Sequence, residues 1–171
     1  MAYEDFTDDW TETDPDGELT VAAQKLEVNP MNYDGDCFFY KDGGANHFTD
    51  TLTHQFEITI DTIPSVNYVW AWGLGEQSTP APTTTIVNLQ FFDNDGLTMA
   101  IYAYKSGVME DFDMTALETG TKYYITVTRN SGTLTAVIRT GSHSGAEVDT
   151  ISCNDHQDSL RYLYLVNEDE D

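Results

Sequence analysis

The sequence predicts an all-β protein: an antiparallel β-sandwich with at most one short helix. Apolar residues recur at every second position through most of the chain, the period of a strand with one buried face. Glycine-bearing turns separate such runs at hairpin spacing. Apart from one short stretch, no segment shows helical periodicity.

Taken in order, short strands are expected at residues 19–23, 25–28 and 37–41. Phe56, Ile58 and Ile60 alternate with Glu57, Thr59 and Asp61, which gives a strand one apolar face. Tyr68, Trp70, Trp72 and Leu74 repeat the pattern against Val69, Ala71 and Gly73, so both tryptophans are expected on one face. The stretch 77–85, Gln-Ser-Thr-Pro-Ala-Pro-Thr-Thr-Thr, reads as a crossing between sheets. Val87, Leu89 and Phe91 alternate with Asn88 and Gln90, and Asp93-Asn94-Asp95-Gly96 turns the chain into Leu97, Met99, Ile101 and Ala103. A single helical turn is expected around Met114 to Leu117. A second hairpin joins Tyr123, Ile125 and Val127 to Leu134, Ala136 and Ile138 through Asn130-Ser131-Gly132. Strands at 147–152 and 162–166 complete the set. The inter-sheet core is expected to hold Ile58, Ile60, Leu89, Phe91, Ile101, Ile125, Val127, Ile138 and Leu163. No internal repeat is visible, which disfavours a propeller.

The 171 residues, 40% of them hydrophobic, suffice for one domain spanning 1–171 with a substantial core. Residues 1–18 form an acidic arm in which Phe6 and Trp10 suggest docking, and 167–171 an acidic tail expected to fray. Thirty Asp and Glu stand against seven Lys and Arg, a formal charge of −23. Such a surface repels phosphate backbones and anionic lipid, so neither nucleic acid nor membrane is an expected partner. The composition resembles that of proteins from salt-loving organisms, where a Debye length of roughly 3 Å at 1 M salt screens the self-repulsion. No apolar run reaches the length of a membrane span, and the first residues lack the pattern of a signal peptide.

Cys37 and Cys153 form no CxxC pair, and a long-range disulfide and two buried thiols are both open to them. The four histidines, His47, His54, His143 and His156, are dispersed without metal-site spacing. No cofactor is required by any motif. Hard oxygen ligands for Ca²⁺ are offered by Asp34 and Asp36 and by Asp93 and Asp95. By strand position, Trp70, Trp72, Tyr102 and Tyr104 are the candidates to stack on sugar rings, with core packing the competing role for the tryptophans.

Three stretches carry a family resemblance: Phe6 through Gly17; Tyr40-Lys41-Asp42-Gly43-Gly44-Ala45 with Phe48 and Phe56 to Ile60; and Tyr123 to Arg129 with the closing Arg161-Tyr162-Leu163-Tyr164-Leu165. Together they resemble the concanavalin A-like, laminin-G-like jelly rolls, in particular small stand-alone members encoded by tailed viruses and uncultured microbes. The resemblance implies a jelly-roll sandwich, with glycan binding or surface attachment as a common use. Glucanases of that superfamily share an E-x-D-x-x-E strand. Here Glu57-Ile58-Thr59-Ile60-Asp61 has Thr59 in the middle position and Pro64 in place of the second acid, so no enzyme is expected.

The expected role is a non-enzymatic structural protein on a virion surface, such as a capsid decoration, turret or tail-associated subunit, meeting other copies of itself or other virion proteins. The alternative is a lectin-like carbohydrate-binding module of a secreted or cell-surface protein. A glycan-active hydrolase or lyase ranks last.

Overall fold

The computed structural model describes residues 10–14, 17, 19–22, 25–28, 38–63, 68–78, 86–155 and 159–168. Among them, thirteen strands form three antiparallel sheets. The large sheet runs in the order β1 (Trp10–Thr13), β4 (Phe38–Asp42), β13 (Tyr162–Glu168), β6 (Val69–Gly75), β7 (Ile86–Asp93), β8 (Leu97–Lys105) and β9 (Val108–Ala116). The small sheet runs β12 (Ala146–Asn154), β11 (Thr133–Thr140), β10 (Lys122–Asn130) and β5 (Thr51–Thr59). A separate hairpin pairs β2 (Leu19–Ala22) with β3 (Lys25–Val28).

The two larger sheets face each other across one apolar cluster. Leu89, Phe91, Met99 and Ile101 of the large sheet meet Ile125, Val127, Leu134 and Ile138 of the small one. All nine residues assigned to the core by alternation belong to this cluster; Ile58, Ile60 and Leu163 lie at its half-buried margin. The reason is parity: with a side-chain period of two, one correctly read inward residue orients a whole regular strand. Trp10 of the acidic arm does dock, stacking on Phe39 with centroids 4.8 Å apart. Phe6 lies outside the described residues. The tail is ordered further than expected, because β13 continues through Glu168.

The expected helical turn at Met114 to Leu117 is corrected: Met114 to Ala116 end β9. Ser106 and Gly107 adopt φ of 49° and 80° between β8 and β9, both in the left-handed region that a two-residue hairpin turn of this hand requires. They fold Val108 to Ala116 back onto β8, and pairing to a neighbouring strand overrides the weak local preference for helix.

β9 is an edge strand, and its carboxylates close the sandwich. Asn154 of β12 donates from its backbone N–H (2.9 Å) and its amide Nδ2 (2.7 Å) to Asp111 Oδ2, and Ser152 N–H donates to Asp113 Oδ2 at 3.0 Å. Two backbone donors on the edge of the small sheet are thus satisfied by side chains from the large one. The Asn154 backbone hydrogen bond is the main cause holding the Asp111 carboxyl below its ordinary range.

At the other end of β10, Arg129 is fully buried and ion-paired through Nε to Asp155, whose side chain is equally buried. Its Nη1 donates to the carbonyls of Phe48 (3.3 Å) and Thr49 (3.1 Å). The guanidinium therefore ties the loop before β5 to the segment after β12. Cys153 is a free thiol in the core, where burial pushes its pKa up to about 12; Cys37 lies outside the described residues. No helix among the described residues is long and apolar enough to cross a membrane.

Candidate functional site

The outer face of the large sheet carries the most distinctive side chains. Cross-strand partners project to the same face of a sheet, and one register row crosses six strands: Tyr40, Tyr164, Gly73, Asn88, Tyr102 and Phe112, from β4 to β9. Strands spaced about 4.8 Å apart make that row about 24 Å long. Aromatic pairs flank a centre of glycine and asparagine.

A bulge in β6 decides which tryptophan joins this face. The pairing of β6 with β7 shifts between Trp70 and Trp72, so Trp70 stands opposite Gln90 while Trp72 stands opposite the inward-facing Leu89. One extra residue, Ala71, reverses the parity of the strand. The expectation that both tryptophans share a face is therefore corrected. Trp70 packs outward with Ile86 and Tyr164, bordered by Tyr40, Tyr68, Tyr104 and Tyr162. Trp72 packs in the inter-sheet core and donates from Nε1 to His54 Nδ1 at 3.0 Å.

Burial, and secondarily the charge of His47, holds the His54 pKa below 6.5, so the folded protein keeps the ring neutral and its Nδ1 free to accept. The unfolded chain protonates His54 more readily. Stability from this group is present above about pH 6.5 and is lost as pH falls into the window below it. The melting temperature of the wild type should accordingly fall more steeply below about pH 6.5 than that of a His54→Gln variant; parallel curves would remove His54 as the cause.

Tyr102 and Tyr104 project outward from β8 and stack at 6.0 Å, and Tyr102 stacks on Phe112 of β9 at 5.6 Å with ring planes 13° apart. Phe112 is 45% exposed, an unusual state for a phenylalanine, and forms the rim of the face. On the opposite flank, Tyr40 meets Tyr162 edge to face at 5.8 Å, and the Tyr164 hydroxyl donates to the Gln77 carbonyl. Burial raises the pKa of both Tyr102 and Tyr164, and Tyr102 is also hydrogen-bonded to Gln90. Both phenols stay protonated and uncharged. Among the described residues, the outward positions of this register on β13, β6, β7 and β8 carry no charged side chain.

In the sequence Asn88 and Gln90 alternate with the apolar Val87, Leu89 and Phe91 and so stand on the opposite face of the strand from them. In the fold Asn88 is 0% and Gln90 6% exposed. Phe112 was hidden for another reason, because the segment holding it carried no strand expectation.

The remaining sequence candidates lie elsewhere. Asp93 accepts the Gly96 N–H at 3.1 Å and shapes the β7–β8 turn, in which Asp95 takes a φ of 59°. Asp34 and Asp36 lie outside the described residues. No group of three or more metal-ligating side chains is found among the described residues. Glu57 sits on the outer side of the small sheet in an ion pair with Lys122, and Asp61 follows β5 as an exposed residue.

No family model and no curated protein sequence matches this chain. Its fold is similar to that of a β-glucanase from Bacillus licheniformis, with a TM-score of 0.63, 9% identity, and coverage of 97% of this chain and 82% of that one. It is also similar to the enzymatically active domain of tailspike protein 2 from bacteriophage CBA120, at a TM-score of 0.59, 13% identity and 92% coverage. The chain spans a quarter of that protein's length, and about a fifth of the full-length tailspike. A third likeness is the carbohydrate-binding module CBM66 of Bacillus subtilis, at a TM-score of 0.53 and 10% identity, covering 95% of this chain and 92% of that one. These likenesses correct the expectation of a non-enzyme: the same sandwich houses a β-glucanase and an enzymatically active tailspike domain, so the missing E-x-D-x-x-E strand no longer excludes catalysis. What they establish for this chain is the fold, a jelly-roll β-sandwich.

Proposed function

We propose that this protein recognises a glycan along the outer face of the large sheet. The observation that carries the reading is the six-strand row, with aromatic side chains at both ends and an amide at its centre. Sugar rings present C–H faces that pack on aromatic rings and hydroxyls that need fixed polar partners, and such sites combine apolar walls with a few placed polar groups. The row is long enough for a chain of several sugars. Tyr102 and Phe112 supply a nearly coplanar platform at the rim. Fold likeness to a carbohydrate-binding module and to a phage tailspike supports this reading and a setting on a viral or cell surface.

A glycan array followed by calorimetry on the best binder tests it, with product analysis to read any turnover. Tyr102→Ala and Phe112→Ala should each weaken binding about tenfold, about 1.4 kcal/mol, with little loss of stability for the exposed Phe112. Unchanged affinity in both variants, or no glycan bound by the wild type, overturns the reading.

A further inference from the structure

We propose that the strip Met109, Phe112 and Met114 on β9 selects sugars that carry a methyl group in place of a hydroxymethyl, the 6-deoxyhexoses. The selectivity rests on the glycan reading above and names the substrate class at the rim of that face.

Of the five large apolar side chains that stand exposed among the described residues, four lie on β9: Val108 is 65%, Met109 47%, Phe112 45% and Met114 45% exposed. Three of them share one side of the sheet. Met109 pairs with Tyr104, Phe112 with Tyr102 and Met114 with Ala100, so they carry the outward face of β8 on to the last strand. At this exposure a ligand reaches them directly.

Alternation along β9 explains why the strip is uncharged. Asp111 and Asp113 point to the other side and accept hydrogen bonds from Asn154 and Ser152 of β12, while Glu110 sits where the register with β8 shifts. The same two carboxylates accept the backbone N–H groups of Phe112 at 3.0 Å and Met114 at 2.9 Å. Two donors of the edge strand are thereby withdrawn from any ligand. The Tyr102 hydroxyl is hydrogen-bonded to Gln90, and a thioether is only a weak acceptor. A sugar hydroxyl laid on this strip gives up water and gains no partner, which is unfavourable. A methyl group there gains apolar contact, and flexible, polarisable methionines adapt to its shape.

Size and charge narrow the occupant further. Three large side chains, each nearly half exposed, offer roughly 300 Å² of apolar surface, against about 800 Å² per partner in a stable protein interface. A short stretch of sugar matches that area; a second copy of the chain does not. The formal charge of −23 opposes an acidic ligand. The strip is also continuous with the six-strand row, because Phe112 stacks on Tyr102.

The test uses two pairs of glycosides whose members differ by one oxygen: methyl α-L-rhamnoside against methyl α-L-mannoside, and methyl α-L-fucoside against methyl α-L-galactoside. Titrations followed by NMR compare the wild type with Met109→Gln and Met114→Gln, singly and together. Val148→Gln, at an exposed apolar residue of β12 in the other sheet, is the control. Melting temperatures are read in parallel. A hydrophobic pocket discriminates against an added hydroxyl by up to about a hundredfold, and a half-exposed strip supplies part of that, so the wild type should bind the deoxy member of at least one pair about fivefold more tightly. The double glutamine variant keeps the side-chain length and adds hydrogen-bonding groups, so it should bring the two members within about twofold while melting like the wild type. Each single variant should fall between, which keeps the comparison open if the double variant folds poorly. Val148→Gln should leave the preference unchanged.

Absence of a preference for the deoxy member in both pairs, with arrayed glycans still bound, overturns the selectivity and leaves glycan recognition standing. A preference that survives undiminished in the glutamine variants overturns its placement on β9. If neither the four glycosides nor any arrayed glycan is bound by the wild type, this proposal and the reading beneath it both fall.

Discussion

Asp155→Ala should lower the stability of the fold by about 3 to 5 kcal/mol, measured by denaturant unfolding near neutral pH. The carboxylate and the guanidinium of Arg129 are both fully buried, so removing one leaves the charge of the other inside the protein without its counter-ion. In an exposed pair, water would compensate. The carbonyls of Phe48 and Thr49, which also accept from Arg129, carry partial charges only and do not replace the carboxylate. Arg129→Lys should also be destabilising, because a point-like ammonium cannot serve the carboxylate and both carbonyls from one planar fork. The double variant Arg129→Leu, Asp155→Leu should recover much of the loss, since an apolar pair avoids the desolvation cost that the ions incur. Additive losses in the double variant would show that the pair acts through packing rather than charge.

Trp72→Ala should cost a further large amount, about 3 to 5 kcal/mol, because Trp72 is 1% exposed and fills the inter-sheet core. Part of that cost is the cavity, and part is the lost Nε1–H donor to His54 Nδ1. Trp72→Phe keeps an aromatic ring and leaves a smaller cavity while still removing the donor, so it should cost less than Trp72→Ala. The face assignment is tested by contrast with Trp70→Phe, which removes the indole N–H on the outer side of the sheet. Both rings are 1% exposed, so both Trp→Phe variants should lose stability, but only the Trp70 change lies on the face proposed for glycan. An equal loss of glycan binding in the two variants would count against the opposite-face assignment.

Alternation in the sequence was enough to determine the all-β class and the nine core residues, because period-two burial is a local property that each regular strand states independently; the turn residues marked both glycine-bearing hairpins, and the 77–85 stretch favoured a sandwich over a closed barrel. Where regularity fails, so does that inference. The bulge at Ala71 is set by pairing with β7, and no property of the Trp70-Ala71-Trp72 stretch alone announces it. The β8–β9 hairpin left a trace in Ser106-Gly107, but Val108 to Ala116 stays mostly exposed and shows little apolar alternation, so only its pairing to β8 makes it a strand. Arg129 reads locally as the start of a turn; its burial depends on Asp155, twenty-six residues away, and on two carbonyls some eighty residues back. The candidate site has the same origin. Tyr102 and Tyr104 were legible from strand parity, whereas Tyr40, Gly73, Asn88 and Phe112 come into line only when six strands from distant parts of the chain take their register. In the sequence Asn88 stands only on the strand face opposite Val87, Leu89 and Phe91; the tertiary structure buries it and leaves its amide unmet.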